Sequence, residues 1–239
     1  MADRIITKRR ENMKEIDSEF KTFLCKEGAS LVGFADMSCI PESKLPIGVA
    51  IAVKLPADIV LGIHDGPTKA YYEAYFVLNE KLNQIVSRGA TFLKGHGYEA
   101  LAQTTTAVHT NEEHRTVLPH KTVATRAGLG WIGKSALLVT EVFGPAVRLS
   151  SILTNAPLRC DEPITVSRCG SCNECTIACP SQAISGKIWK VGMDRDEFFN
   201  SYACREKARQ IAKEKVGKEI TLCGKCFEVC PYASKYLNT

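Results

Sequence analysis

Eleven cysteines in 239 residues are unevenly placed: Cys25 and Cys39 stand apart, and nine fall between Cys160 and Cys230. That distribution constrains the chain more than any other feature, because thiols crowded into one stretch must be bridged, ligated or reactive. Met1 to Glu19 is charged and lacks the apolar segment of a secretion signal. No run approaches the roughly 18 apolar residues that a membrane span needs. A cytoplasmic chain without a membrane partner is therefore expected. In that compartment disulfides are rare, and clustered cysteines bind metal or do redox work.

Cys169-x2-Cys172-x2-Cys175-x3-Cys179-Pro180 has the spacing of a bacterial ferredoxin 4Fe–4S loop. Two-residue gaps let one turning loop set three sulfurs at three corners of a cube. The fourth cysteine, fixed by the proline that follows, points away and ligates another cluster. Cys223-x2-Cys226-x3-Cys230-Pro231 mirrors this pattern but is one cysteine short, and Cys204 is the supply for the missing corner. One cluster is thus assigned to Cys169, Cys172, Cys175 and Cys230, and the other to Cys179, Cys204, Cys223 and Cys226. A pair of zinc sites can be built from the same C-x2-C elements. Two Cys-Pro ends in a crossed arrangement favour the iron–sulfur reading. Cys25, Cys39 and Cys160 are left over as buried structural thiols.

The formal charge of +5 says little about partners. A 4Fe–4S core with four thiolates carries roughly −2, so two clusters leave the loaded chain near about +1. DNA is not expected. Arg205, Lys207, Arg209, Lys213, Lys215 and Lys218 form a basic run beside the second cysteine set. RNA contact, compensation of cluster charge and helix solvation each account for it. The interspersed Glu206, Glu214 and Glu219 favour solvation.

Helix and strand signals alternate ahead of Ala156–Thr165, where Pro157 and Pro163 flank the change to cysteine-rich sequence. Met13, Ile16, Phe20, Phe23 and Leu24 share one helical face. Gly28 ends that helix, and Ser30–Ala35 reads as a strand. Ile47–Leu55 is a continuous apolar, β-branched run, the pattern of a buried strand. Tyr71, Tyr75, Leu78, Leu82, Ile85 and Leu93 mark a second long helix, broken at Gly95-His96-Gly97. Strands follow at Ala136–Thr140 and Arg148–Thr154, and a charged helix runs around Asp196–Lys215. The expectation is an α+β fold in two domains, 1–158 as an α/β sandwich and 159–239 as a ferredoxin-like domain.

Gly128-Leu129-Gly130-Trp131-Ile132-Gly133-Lys134-Ser135 matches both G-x4-G-K-[ST] and G-x-G-x-x-G. Each motif needs a strand before the glycines and a helix after them. Here Lys121–Ala127 reads as helix and Ala136–Thr140 as strand, the reverse order, and Trp131 would crowd a phosphate cradle. Nucleotide binding is not expected. The glycines do allow a close backbone approach, against which a flat cofactor could lie.

Ala127-Gly-Leu-Gly-Trp-Ile-Gly-Lys134, then Leu137-Leu138, Phe143-Gly144, Arg148-Leu149 and Leu153-Thr154, resemble the core of epoxyqueuosine reductases. The Cys169–Pro180 loop, Cys204 and the Cys223–Pro231 loop follow in that family's order, and the resemblance runs over nearly the whole chain. The family is related to the reductive dehalogenases. The resemblance implies a cobalamin-binding domain akin to the nitroreductase-like fold, followed by a two-cluster ferredoxin domain. In that family the clusters pass electrons to cobalt, and the reaction removes the epoxide oxygen of epoxyqueuosine in tRNA. On this reading Gly128, Gly130, Trp131, Gly133 and Lys134 lie against the cofactor. Flavin is the alternative occupant, and reduced ferredoxin or flavodoxin is the expected electron donor.

Three departures accompany the resemblance. The family's acidic proton donor and the Pro and Glu that follow it are replaced at the matching positions by His114, Val117 and His120. An Asp-Tyr-His signature on the upstream helix is absent, with Tyr71-Tyr72-Glu73 in that neighbourhood. The chain also stops soon after Pro231, short of the extension with which the family holds tRNA. Electron delivery is the part of the resemblance expected to survive these changes.

His114 is the candidate proton donor, since a histidine gives up a proton near neutral pH. A surface or hydrogen-bonded structural histidine is the plainer reading of it. His120 is open to a role as a lower cobalt ligand. Core packing accounts for at least one of Tyr71, Tyr72 and Tyr75, and Tyr72 is the candidate phenol of a cofactor pocket. Lys134 either touches a cofactor side chain or is a solvated lysine after a glycine turn. Three functions follow: a cobalamin-using reductase of an unidentified substrate, a plain electron carrier, and a tRNA epoxyqueuosine reductase in the strict sense.

Overall fold

The computed structural model describes residues 16–238, so Met13 of the first helical face lies outside them. In chain order the elements are α1 (16–26), β1 (Leu31–Asp36), β2 (Ile47–Lys54), α2 (Ala57–Leu61), α3 (Lys69–Gly95), β3 (Ala100–Gln103) and α4 (His120–Arg126). Then come β4 (Trp131–Ile132), β5 (Leu138–Val139), β6 (Val147–Thr154), α5 (Glu174–Ile177), α6 (Ser201–Val216), α7 (Lys225–Glu228) and α8 (Pro231–Leu237). The fold is α+β. The chain divides into two compact units, each drawn from three stretches. One takes the chain up to Val53, Glu80–Leu129 and Leu149–Pro163; the other takes Lys54–Asn79, Gly130–Arg148 and the chain from Ile164 onward.

The first unit is organised by a four-stranded sheet in the order β1-β2-β6-β3. β1 and β2 pair antiparallel, with Leu31 opposite Ala52, and β3 pairs antiparallel with β6, with Ala100 opposite Thr154. Every interior position of β2 is buried. Its uninterrupted apolar run requires this, because such a strand has no polar face to turn to water. Helix α1 fully buries Phe20 and Leu24. Phe20 stacks on Phe92 of α3 at 5.3 Å between centroids and on Phe34 of β1 at 6.3 Å. In the same way α3 buries Leu82, Ile85 and Leu93 at helical spacing.

Three details differ from the sequence reading. The strand expected over Ala136–Thr140 shrinks to Leu138–Val139, paired with the equally short β4 in a separate two-stranded sheet. β3 and α2 carried no usable pattern, being four and five residues long. Cys25 and Cys39 are exposed rather than buried, and Cys160 is half-buried. Cys25 follows the buried Leu24 on α1, and one step of about 100° turns it off the core face.

The second unit has little regular structure. Its longest helix wholly within it is α6, whose Asn200 cap accepts from the Ala203 N–H at 3.0 Å. Gly217 closes α6 in the left-handed region, at φ 71°. Among its buried apolar side chains are Val60, Ile63, Trp131, Leu138, Trp189, Phe198 and Phe227. Among the described residues no helix is long and apolar enough to cross a membrane.

Candidate metal centre

The seven cysteines of the two motifs and Cys204 all lie in the second unit. Cys204 lies in α6, and short elements carry others: Cys175 is in α5, Cys226 in α7, and Cys230 is the cap before α8. Pro231 opens α8 at the position where its missing N–H leaves no gap. The next two backbone N–H groups, of Tyr232 and Ala233, then donate to the Cys230 sulfur.

The electrostatic neighbours of these thiols fall mainly into two sets, with Cys175 and Cys226 meeting where the sets approach. Burial pushes the Cys175 thiol up to about 11, and the thiols that add to the rise are Cys169, Cys230 and Cys172. Cys230 is raised by burial against its two N–H donors, and again by Cys169 and Cys172. Burial likewise takes Cys204 to about 11, reinforced by Cys179 and Cys223. Cys226 is the most deeply set and is raised far above the usual thiol range, by burial and then chiefly by Cys223 and Cys204. Each set crowds groups that resist ionising together, and a bound metal core with positive charge reverses that preference. Four thiols in each of two sets, each mixing the two sequence motifs, suit a pair of four-sulfur clusters. Among the described residues no group of three or more His, Cys, Asp or Glu side chains converges on a single-ion site.

The turn after α4 packs against this cysteine-rich region. A helix precedes its glycines and β4 follows them, the order that argues against a phosphate cradle. Its residues do not offer a platform for a flat cofactor. A Cβ on Gly130 would collide with the Val139 carbonyl oxygen, and one on Gly133 would lie 2.8 Å from Val139 Cγ2 and 3.6 Å from Cys169 Sγ. A Cβ on Gly128 would lie 2.8 Å from the Glu162 carbonyl oxygen. The close approaches that these glycines permit are to the protein's own backbone and side chains.

Trp131 has no exposed surface; the Tyr232 ring meets it edge-on at 4.9 Å, and the Arg168 guanidinium lies 5.5 Å over it. Tyr232 follows Cys230 by two residues, and Arg168 precedes Cys169. Lys134 is not a solvated lysine. It is buried, and its ammonium donates to the Cys172 carbonyl oxygen at 2.7 Å and to Asn173 Oδ1 at 2.8 Å. The sequence reading missed Asn173, Arg168 and Tyr232. Their only signal was adjacency to cysteines of the motifs.

The other candidates are dispersed. His114 lies in the first unit and Tyr72 in the second. His114 occupies the left-handed region at φ 58°, in a loop where its N–H donates to the Asn111 carbonyl oxygen at 3.0 Å. Few non-glycine residues adopt this conformation, and histidine is among those that do more often. His120 opens α4, with Nδ1 2.9 Å from Ser151 Oγ. Tyr71 is the buried tyrosine, meeting Phe227 edge-on at 5.7 Å, whereas Tyr72 is half-buried against Phe76. Tyr75 lies under the Arg148 guanidinium at 4.2 Å.

The family model for a 4Fe–4S double cluster binding domain matches residues 168–233, the stretch that holds these cysteines. More particularly, the chain is similar to epoxyqueuosine reductases. It is 37% identical over 112 residues to the epoxyqueuosine reductase of Listeria monocytogenes, covering 46% of this chain and 28% of that protein. It is 31% identical over 157 residues to that of Bacillus subtilis, covering 65% of this chain and 36% of that protein. The chain thus matches only about a third of the length of these relatives. In structure it is similar to an epoxyqueuosine reductase solved with an epoxyqueuosine-modified tRNA stem loop, with a TM-score of 0.61 at 23% identity. That likeness covers 93% of this chain and 66% of the other. A catabolic reductive dehalogenase has a TM-score of 0.70 at 18% identity, covering 90% of this chain and 31% of its own. Sequence similarity to curated relatives is thus narrower than the motif order suggests, while the shared fold extends over nearly the whole chain.

Proposed function

We propose that this chain is a cytoplasmic iron–sulfur oxidoreductase that relays single electrons through two 4Fe–4S clusters to an acceptor bound by residues 1–158. The observation that carries this reading is the gathering of the eight thiols, with Cys169, Cys172 and Cys230 around Cys175, and Cys179 and Cys223 around Cys204. Cys169, Cys172, Cys175 and Cys230 hold one cluster; Cys179, Cys204, Cys223 and Cys226 hold the other. Bound clusters of this kind supply one-electron transfer. The chain's own part is to fix and insulate them. The N–H groups of Tyr232 and Ala233 stabilise the Cys230 thiolate. Tyr71 against Phe227 keeps water from α7, where Cys226 lies. Reduced ferredoxin or flavodoxin is the proposed donor.

Cobalamin is the proposed acceptor, because the relatives point to it: one structural neighbour, with a TM-score of 0.67, is described by B12-dependent dehalogenation. The buried turn residues Gly130, Trp131, Gly133 and Lys134 do not fit a cofactor cradle, being packed against the protein's own chain. His114 is the proposed proton donor to the substrate, and Tyr72 the proposed phenol at its pocket. A tRNA substrate is the second reading and rests on the relatives' names. Two of the basic side chains of α6 are engaged within the protein, Arg209 with Glu219 at 2.6 Å and Arg205 with Thr221 at 3.2 Å.

The test is iron and sulfide analysis with EPR on anaerobically purified protein. About eight irons per chain are expected, falling to about half in Cys172→Ser or Cys204→Ser. Zinc in place of iron would sink the reading. Adding cob(II)alamin to the loaded protein then tests the acceptor: loss of the nitrogen superhyperfine splitting supports a bound corrinoid, and a spectrum identical to the free compound removes it. Unchanged queuosine in tRNA from a deletion strain would remove the tRNA reading.

A further inference from the structure

Lys134 is the one Lys, Arg, Asp or Glu side chain among the described residues that is buried. Its two partners, a backbone carbonyl oxygen and an amide oxygen, are neutral. A buried cation with only neutral acceptors is strongly unfavourable, because the lost hydration is not returned by an opposite charge. Both acceptors belong to the Cys169–Cys175 loop, and the neighbouring Gly133 is in contact range of Cys169 Sγ. Beside it Trp131 is wholly buried with its indole N–H unpartnered, and the residues on its ring flank Cys169 and Cys230. In one turn beside the first cysteine set, then, Lys134 has no anionic partner and the Trp131 indole N–H has no acceptor.

The second set is arranged differently. Its neighbouring cation, Lys225, is matched by Glu228 at 2.8 Å and donates to the His64 carbonyl oxygen at 3.1 Å. That ion pair offsets part of the field of Lys225, which still lowers the Cys223 thiol by its charge and its backbone N–H against the larger effect of burial.

We propose that Lys134 is the fixed counter-charge of the cluster held by Cys169, Cys172, Cys175 and Cys230, raising that cluster's reduction potential relative to its partner's. The inference rests on the cluster reading above. A four-thiolate cluster carries roughly −2 and becomes about −3 when it accepts an electron, so a desolvated cation stabilises the reduced form more than the oxidised one. Lys134 acts through the loop and through space. It is a positioning residue rather than a ligand. It biases a shared electron towards the first cluster, because Lys225 beside the second set is exposed to the opposing charge of Glu228 and gives weaker help.

The experiment is an EPR-monitored redox titration of the loaded wild-type protein, Lys134→Gln and Lys134→Arg, with iron counted in each. Lys134→Gln keeps an N–H donor for the Cys172 carbonyl oxygen but removes the charge. The expected result is a lower midpoint for one cluster only in Lys134→Gln, the cluster whose signal Cys172→Ser alters, with Lys134→Arg staying close to wild type. A variant pair in which Lys134→Arg assembles both clusters and Lys134→Gln only one supports the same requirement for charge. Unmoved potentials in a fully loaded Lys134→Gln overturn the proposal and leave the cluster reading standing. Equal loss of one cluster from both variants also overturns it, marking a need for shape rather than charge. A wild-type protein without any iron–sulfur signal removes the cluster reading itself.

Discussion

In the first unit a sheet closes over Phe20, Leu24, Ile51, Ile85 and Leu93, none with more than 1% of its surface exposed. In the second, from Ile164 onward, helices α5 and α7 are four residues each, and the strand contacts are isolated bridges, Val166 with Lys190 and Ile184 with Phe199. One unit is held by apolar burial over long elements. The other gathers eight thiols, most of them on short turns, where burial first and neighbouring thiols second raise Cys175, Cys204, Cys226 and Cys230. Its remaining stability is expected to come from whatever the thiols bind, since metal affinity spent on an unformed site becomes folding free energy. Within one chain, then, a fold made by water and a fold made by ligation lie interleaved.

The largest expected effect separates these two sources. Stripping iron with a chelator under anaerobic, reducing conditions should remove hydrogen-exchange protection from the amides of 164–238. The amides of β1, β2 and β6 should stay protected. Equal protection in both regions after iron loss would break the comparison. Next in size, Phe20→Ala should destabilise the first unit by about 3–5 kcal/mol in denaturant unfolding, through the cavity left against Phe92 and Phe34. Iron content should stay at the wild-type level; a parallel fall in iron would show that the two units do not hold separately.

The smallest effect is electrostatic. Burial raises the Asp17 carboxyl above its usual value, outweighing the Arg159 N–H and charge that lower it. An acid whose folded pKa is raised helps folding only below its unfolded value, here 3.8, and works against it as pH rises through the folded value. Asp17→Asn, which keeps an acceptor for the Arg159 N–H, should therefore raise Tm slightly at pH 7. That gain should close as pH falls below about 3.8, where both side chains are neutral. A gain that persists in acid would point to packing instead of charge.

Much of the first unit was legible because its signals are periodic. The apolar spacing from Tyr71 to Leu93 lies on a helix that ends at Gly95, and the Ile47 run is β2. β3 escaped notice because four residues give no period, and only Ala100 of them is buried. The 128–135 turn was legible as something other than a phosphate loop, from element order alone. What comes close to it was not legible: the glycines expected to face a cofactor also make room for Val139 and neighbouring chain. A glycine pattern records that something comes close, without recording what.

The sequence by itself determined the thiol inventory, its spacing and the helical and strand periods. These are properties of neighbours along the chain, and local geometry translates them directly. Only the tertiary structure decided that each compact unit is drawn from three separate stretches, and that Lys134 is buried on the cysteine loop instead of solvated. Burial is set by which distant residues arrive at a position, and desolvation gives a charge its leverage. The same lysine in the same motif is inert in water and a strong local field inside the protein.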